Sequence, residues 1–352
     1  MIRSQRIYGK SMEIAGNLYI AGIQLLSRLK WLRTPNQDTE IIGQGLFRFK
    51  VDRRWCKAKG TELSINNCHE MVVDSQQRLY LLTDHPRNNI IVFNTNGEVL
   101  NHWTLNSSGA HGLTIERTNN TEFLWICDPY HPRVFKTSLD GEIIRMLPNP
   151  ADIGAYTATM PYAPTQTAVS ATGDLYVADG YGSQWILQFD SAGNFIRKFG
   201  GKGKDPCNLD FAHGLAIDTR IPDKPVLLVT SRKQSCLKRF TLDGQYLDQI
   251  ALPGGYPCRP VIQGEYLYVS LCWSGSHLKP NSGFVVVLNS SNQVCSAIGG
   301  NASADDGGNL IDLKPDYSAF CHVHDVCVDS TGNLYVCQWN AGNVFPYKLI
   351  KI

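Results

Sequence analysis

Between residue 69 and the end of the chain, one pattern of short strands and turns recurs six times. Each unit opens on a short apolar strand, as in Met71-Val72-Val73, Leu113-Thr114-Ile115, Leu215-Ala216-Ile217 and Val326-Cys327-Val328. A second strand follows at residues 79–82, 124–126, 175–177, 226–229, 267–269 and 334–336, and a third at 90–93, 133–135, 186–189, 237–240 and 284–287. A turn with glycine then leads into a fourth: Asn96-Gly97, Asp140-Gly141, Ala192-Gly193, Asp243-Gly244. Asn-Gly and Asp-Gly supply the positive-φ residues that two-residue hairpins need. Four strands per unit, at a period of about 40–55 residues, describe a propeller. The units open near His69, His111, Thr165, His213, Arg259 and His324, so the expected fold is all-β, a six-bladed β-propeller.

The last unit has only three strands before the chain ends. The missing strand is expected at residues 46–51, where Phe47, Phe49 and Val51 alternate with Leu46, Arg48 and Lys50. An N-terminal strand placed there removes the open edge between the first and last blades. The chain therefore divides into an N-terminal amphipathic helical extension, 1–42, and a propeller, 43–352, closed by its N-terminal strand. In the extension, Ile14, Leu18, Leu25, Leu29 and Leu32 recur at helical spacing, interrupted by Glu13, Asn17 and Gln24 and flanked by Arg and Lys. That is too polar for a spanning helix and lacks a small-residue cleavage site. Such a basic amphipathic helix either lies on a membrane surface or packs on the outside of the propeller. Long inserts at 148–164 and 274–282 should lie on the surface and shape a pocket.

Composition narrows the partners. The net charge is +2 with Lys and Arg scattered, which argues against a nucleic-acid partner. Of the 11 cysteines, Cys127, Cys327 and Cys337 sit inside apolar runs, where a small buried hydrophobe is expected, and there is no Cys-x-x-Cys. Buried thiols fit a reducing, cytoplasmic setting better than a secreted one, although Cys56–Cys68 and Cys207–Cys258 are pairings the sequence leaves open. The expected partner is a small-molecule or peptide substrate, and a monomer is expected.

Three histidines open equivalent segments in alternate units: His111 in Ala-His-Gly-Leu, His213 in Ala-His-Gly-Leu-Ala, His324 in Val-His-Asp-Val. The separations, 213 − 111 = 102 and 324 − 213 = 111, are each two repeat lengths. Alternate blades of six sit about 120° apart, and the innermost strand of each runs along the central channel. Three imidazoles at that end of alternate blades converge on one point. Three neutral imidazoles around an open fourth position is a catalytic zinc arrangement. The alternative is that each histidine only bonds the backbone between blades. His69 holds the matching place in blade one, as a fourth ligand or a donor behind the ligands.

These segments, with Tyr176-Val-Ala-Asp-Gly-Tyr181, the following Gln188-Phe189-Asp190-Ser191-Ala192-Gly193, and His324-Asp325-Val326, resemble a known family. The chain is similar, from about residue 69 to 349, to the peptidyl-α-hydroxyglycine α-amidating lyases and their propeller relatives with NHL-type repeats. The resemblance implies a zinc ion on His111, His213 and His324, with Tyr181 acting on a substrate hydroxyl and Arg232 clamping a substrate carboxylate. The implied reaction breaks the C–N bond of a carbinolamide to give an amide and glyoxylate. It also implies a structural calcium in the channel, held by Asp325 and by the backbone carbonyls of Met71 and Leu113.

The chain departs from that family at three places. Asp84-His85 stands where a second carboxylate-binding arginine belongs, with Arg87 two or three residues away. His322 replaces a methionine, and an arginine is missing near Trp185. Two other readings remain: an NHL-type scaffold for a protein partner, and a propeller hydrolase of the lactonase kind. The latter uses carboxylate and asparagine ligands, against which the histidine-rich blade starts argue.

Overall fold

The computed structural model describes residues 40–352 apart from 59–61, 119–120, 275–281 and 317–318. The helix expected within 12–32 lies outside the described residues, as does most of the 274–282 insert. Six antiparallel sheets follow one another around an axis. Blade one is Cys68–Val73, Leu79–Thr83, Ile90–Phe93 and Val99–Trp103. Blade two runs from Gly112–Thr118 to Ile143–Met146, blade three from Gln166–Val169 to Phe195–Gly200, blade four from Ala212–Asp218 to Tyr246–Ala251, and blade five from Gly255–Gln263 to Val294–Ile298. Blade six holds Val323–Val328, Leu334–Gln338 and Tyr347–Lys351, and is completed by Phe49–Asp52 from the start of the chain. There Val51 pairs with Leu349 and Phe49 with Lys351. Ile41–Ile42 adds a short outer strand, and residues 44–47 turn back through a bond from Phe47 N–H to Gln44 O of 3.0 Å.

The core lies between blades. Successive side chains of a strand point to opposite faces, so each middle strand feeds two neighbours. In blade one, Leu81 joins a cluster with Tyr335 and Cys337 of blade six, whereas Tyr80 and Leu82 join Leu113 and Leu124 of blade two. Six such clusters occur, one at each junction of neighbouring blades. A hairpin the repeat does not anticipate, Gly300–Ala304 with Leu310–Pro315, is inserted before blade six.

The turns differ from the two-residue hairpins expected. Asn94 N–H donates to Glu98 O and Gly97 N–H to Asn94 O, both at 3.0 Å, so the loop has three residues. Gly97 has φ +81 while Asn96 does not enter the left-handed region, and the register shifts at Val92/Phe93. A two-residue type I′ turn needs positive φ at both central residues; one left-handed glycine plus a bulge is the three-residue solution. The same loop recurs at 138–142, 190–194 and 241–245.

Two glycines permit the close approach of blades beside the channel. A Cβ on Gly112 would lie 2.3 Å from Thr165 O of blade three, and one on Gly214 would lie 2.1 Å from Cys258 O of blade five. Both neighbours are backbone and cannot swing aside. Gly112→Ala and Gly214→Ala are each expected to destabilise the fold by about 1–3 kcal/mol, the usual cost of overpacking. Chemical denaturation would measure this, and wild-type midpoints in both variants would show that the blades can separate freely there.

Candidate metal centre

Six equivalent positions, one per blade, surround the channel mouth: His69, His111, Thr165, His213, Cys258 and His324. Four of them lie in register shifts of the innermost strand, at Cys68/Glu70, Ala212/Leu215, Pro257/Pro260 and Val323/Asp325. A bulge re-aims a side chain out of the sheet's alternation. Here it turns residues at the start of the blade toward the axis.

The three expected histidines meet. Ring centres are 4.6 Å apart for His111 and His213, 4.9 Å for His213 and His324, and 5.0 Å for His111 and His324. Two imidazoles on one tetrahedral ion, each nitrogen 2.0–2.1 Å away, place their ring centres about 5 Å apart. His69 belongs to the same group, 5.1 Å from His111 and 5.0 Å from His324. The donor-atom sets within 4.8 Å of one another are His69, His111 and His324 on one side and His213, Cys258 and His324 on the other; they share His324, while His111, His213 and His324 converge through their rings rather than as one such set. The second set includes a residue the histidine pattern did not single out.

Neighbouring blades fix the ring orientations. His111 Nδ1 lies 3.0 Å from Thr165 O, and His324 Nδ1 lies 2.9 Å from His69 O. A carbonyl only accepts, so both Nδ1 atoms carry the proton and both Nε2 atoms present a lone pair. Burial, joined by the positive charge of neighbouring imidazoles and Arg232, holds the pKa of His111, His213 and His324 well below the ordinary histidine value. All three are therefore neutral at pH 7, the form that binds a metal. His213 is fully buried and its Nδ1 has no partner. This donor set fits a zinc-type ion.

Tyr181 closes the site from blade three. Its hydroxyl is 2.9 Å from His111 Nε2 and 3.1 Å from His213 Nε2, and its ring lies against Phe211. The residue is 38% exposed, but its hydroxyl is enclosed between His111 and His213, and loss of water there pushes the phenol above its ordinary pKa, while Arg232 pulls the other way without prevailing. In the absence of a metal Tyr181 is thus a neutral phenol. Its loop is held by Asp179, which accepts from Ser183 N at 2.6 Å, Ala163 N at 2.7 Å and Tyr156 OH at 2.8 Å. The 148–164 insert therefore supports the tyrosine loop.

Arg232 follows the second strand of blade four on a single turn, Arg232–Gln234. It is buried, donating from Nε to Pro257 O at 3.2 Å and from Nη2 to Cys258 Sγ at 2.8 Å, with its guanidinium over Phe211 and Trp273. His322 is buried against Trp273 and Trp339. The blade-one segment supplies no second clamp. Asp84 accepts from Asn67 and lies 3.5 Å from His69 Nε2, His85 receives Arg87 N–H, and the Arg87 side chain is exposed. None of the cysteines forms a disulfide among the described residues, so the pairings left open by the sequence are not made.

Beneath the imidazoles lies a layer built from Glu70, Gln166, Arg259 and Asp325. The expected calcium does not fit here. Arg259 Nη1 is 2.9 Å from Asp325 Oδ2, 3.4 Å from Met71 O and 3.8 Å from Glu70 Oε2, so a guanidinium stands between the groups expected to hold the ion. Asp325 Oδ2 also accepts Met71 N–H at 2.9 Å. Leu113 enters through its N–H, which donates to Glu70 Oε2 at 2.7 Å, joined there by Gln166 Nε2 at 2.7 Å. Burial raises the pKa of both carboxyl groups, and Arg259 opposes the rise.

The fold and this ring of donors define the class: a six-bladed β-propeller with convergent imidazoles at one mouth of its channel. No family model matches the chain. Its relatives are amidating lyases and NHL-repeat proteins. Peptidyl-glycine alpha-amidating monooxygenase B of Xenopus laevis is 31% identical over 261 residues, 68% of this chain and 26% of that one. Peptidyl-alpha-hydroxyglycine alpha-amidating lyase 1 of Drosophila melanogaster is 26% identical over 261 residues, 67% of this chain and 44% of that one. NHL repeat-containing protein 3 of Mus musculus is 24% identical over 179 residues, 48% of this chain and 51% of that one. The chain thus spans about a quarter to a half of the length of the curated relatives it matches. A streptogramin B lyase structure superposes with TM-score 0.57 at 9% identity, covering 90% of this chain and 99% of that one, a likeness of fold. The chain is a six-bladed propeller that resembles the amidating lyases and the NHL-repeat proteins.

The unfolded chain gains protons at His111, His213 and His324 as pH falls through about 6.5, while the folded, metal-free protein does not. Its unfolding free energy should therefore fall below that pH, by up to about 1.4 kcal/mol per histidine per pH unit. Denaturation at stepped pH would show this, and a flat profile between pH 7.5 and 5.5 would contradict it. For the layer below, added calcium should leave the melting temperature of the wild type unchanged. Arg259→Gln should cost about 3–5 kcal/mol, because two buried carboxylates lose their counter-charge. A calcium-dependent melting temperature in the wild type would contradict the guanidinium's role.

Proposed function

We propose that the protein is a zinc-dependent carbon–nitrogen lyase of the amidating type, cleaving a carbinolamide-type substrate to an amide and an aldehyde such as glyoxylate. The observation that supports this most is the tyrosine hydroxyl seated between two of three converging neutral imidazoles. His111, His213 and His324 would hold the metal, which when bound supplies Lewis-acid polarisation of the substrate hydroxyl oxygen.

The chain's own residues do the rest. Beside the charge of a bound metal, Tyr181 would lose its proton to solvent, and the resulting phenolate would stand where it can take the proton of the substrate hydroxyl. The oxygen lone pair then forms the aldehyde C=O as the C–N bond breaks. The departing amide nitrogen needs one proton, and the phenol just formed can return it. Arg232 carries positive charge that lowers the proton affinity of the phenol and that can face a substrate carboxylate. Phe211 and Trp273 wall the guanidinium against water.

With Asp84, His85 and exposed Arg87 in place of a second arginine, the carboxylate is gripped from one side only. This favours a substrate smaller or less anionic than a peptidyl α-hydroxyglycine, as a second reading. Glyoxylate release from an α-hydroxyglycine peptide by the zinc-loaded protein tests the first. Tyr181→Phe should lower kcat by about 10²–10⁴, the range for a lost proton-transfer group. Wild-type turnover by that variant would remove the proposed base. No release by the wild type, with turnover of an uncharged carbinolamide, would favour the second reading.

A further inference from the structure

The channel mouth holds a sulfur donor beside its imidazoles. Cys258 occupies in blade five the position that His69, His111, His213 and His324 hold in theirs, and it lies in the same kind of bulge. It is fully buried. Its sulfur and the donor nitrogens of His213 and His324 all lie within 4.8 Å of one another. Arg232 Nη2 is 2.8 Å from the sulfur, and Val323 O lies 3.7 Å away on its other side. His213, whose buried Nδ1 has no hydrogen-bond partner, is one member of this triad.

We infer that Cys258 is a thiolate ligand of the metal at the channel mouth, so that the centre is a mixed imidazole–sulfur site rather than one of imidazoles alone. The inference rests on the metal reading given above. Three features favour it. A thiolate in a buried place needs positive charge, and the Arg232 guanidinium already lies against the sulfur. Zinc accepts imidazole and thiolate together and can expand to five ligands during reaction, so a substrate oxygen could still reach it. The backbone that carries the sulfur packs closely on blade four, where Gly214 leaves room for Cys258 O. On metal entry the thiol proton leaves to solvent, the sulfur lone pair forms the new bond, and Arg232 keeps its N–H on the sulfur. The same contact holds Arg232 in place, making Cys258 a positioning residue for the carboxylate clamp.

Cobalt(II) substitution tests this without reference to turnover. The full chain, stripped of metal and loaded with cobalt, should show visible bands of tetrahedral cobalt together with a near-ultraviolet sulfur-to-cobalt charge-transfer band. Cys258→Ser should keep the visible bands and lose the charge-transfer band, while Cys272→Ser, on the adjacent strand, should keep both. Chelator competition should show zinc bound more weakly in Cys258→Ser by at least the ~10–100-fold that losing an outer partner costs. Visible bands without the charge-transfer band in the wild type would overturn the thiolate and leave the metal reading standing. A charge-transfer band that survives in Cys258→Ser and vanishes in Cys272→Ser would also overturn it. No cobalt bands in the wild type would remove both. The wild-type spectrum decides even if the serine variant does not fold.

Discussion

Closure of the ring is the constraint from which the rest descends. Phe49–Asp52 pairs with Tyr347–Lys351, so the sixth blade is finished by the start of the chain and no sheet edge is left between the last blade and the first. Once the ring is closed, the six innermost strands must face one axis, and whatever opens each strand must face its counterparts. Residues as far apart in sequence as His69 and His324 come to 5.0 Å between ring centres for this reason. The apolar clusters at all six blade junctions resist any outward slide that would part them.

Within that frame the channel is layered by charge. At the mouth, neutral imidazoles and a phenol converge beside a thiol that accepts from Arg232. One residue further along each strand, two buried carboxyl groups surround Arg259. Burying a charge is tolerable only with a partner and hydrogen bonds, and Arg259, Gln166 and the N–H groups of Met71 and Leu113 supply them. The lower layer holds its own cation covalently. The upper layer presents lone pairs instead, and lone pairs converging in a buried place call for a cation from outside.

Most of the fold was legible because a propeller writes its period into the sequence. Strand runs, glycine turns and the alternation of Phe47, Phe49 and Val51 each repeat a local rule. The turn geometry was misjudged because Asn-Gly serves both two- and three-residue hairpins, and the bond from Asn94 to Glu98 decides between them only in three dimensions. The hairpin at Gly300–Ala304 carries no repeat signal. Convergence of the three histidines could be read from spacing alone, but Cys258 could not, since a cysteine in an apolar strand reads as a small hydrophobe. Aligning the first residue of all six units would have exposed it. The role of Arg259 was hidden for a different reason: a guanidinium in the place of an ion leaves no pattern along the chain and is seen only where its Nη1 meets Asp325 and Met71.

The central claim is that the imidazoles of alternate blades grip one ion. Metal content of the purified protein, read together with X-ray absorption at the zinc edge, tests it most directly. About one zinc per chain is expected, with nitrogen at about 2.0–2.1 Å and a sulfur at about 2.3 Å, and with loss of that zinc in His213→Ala. A folded protein that takes up no zinc, or one whose zinc is bound by oxygen alone and is retained in His213→Ala, would contradict it.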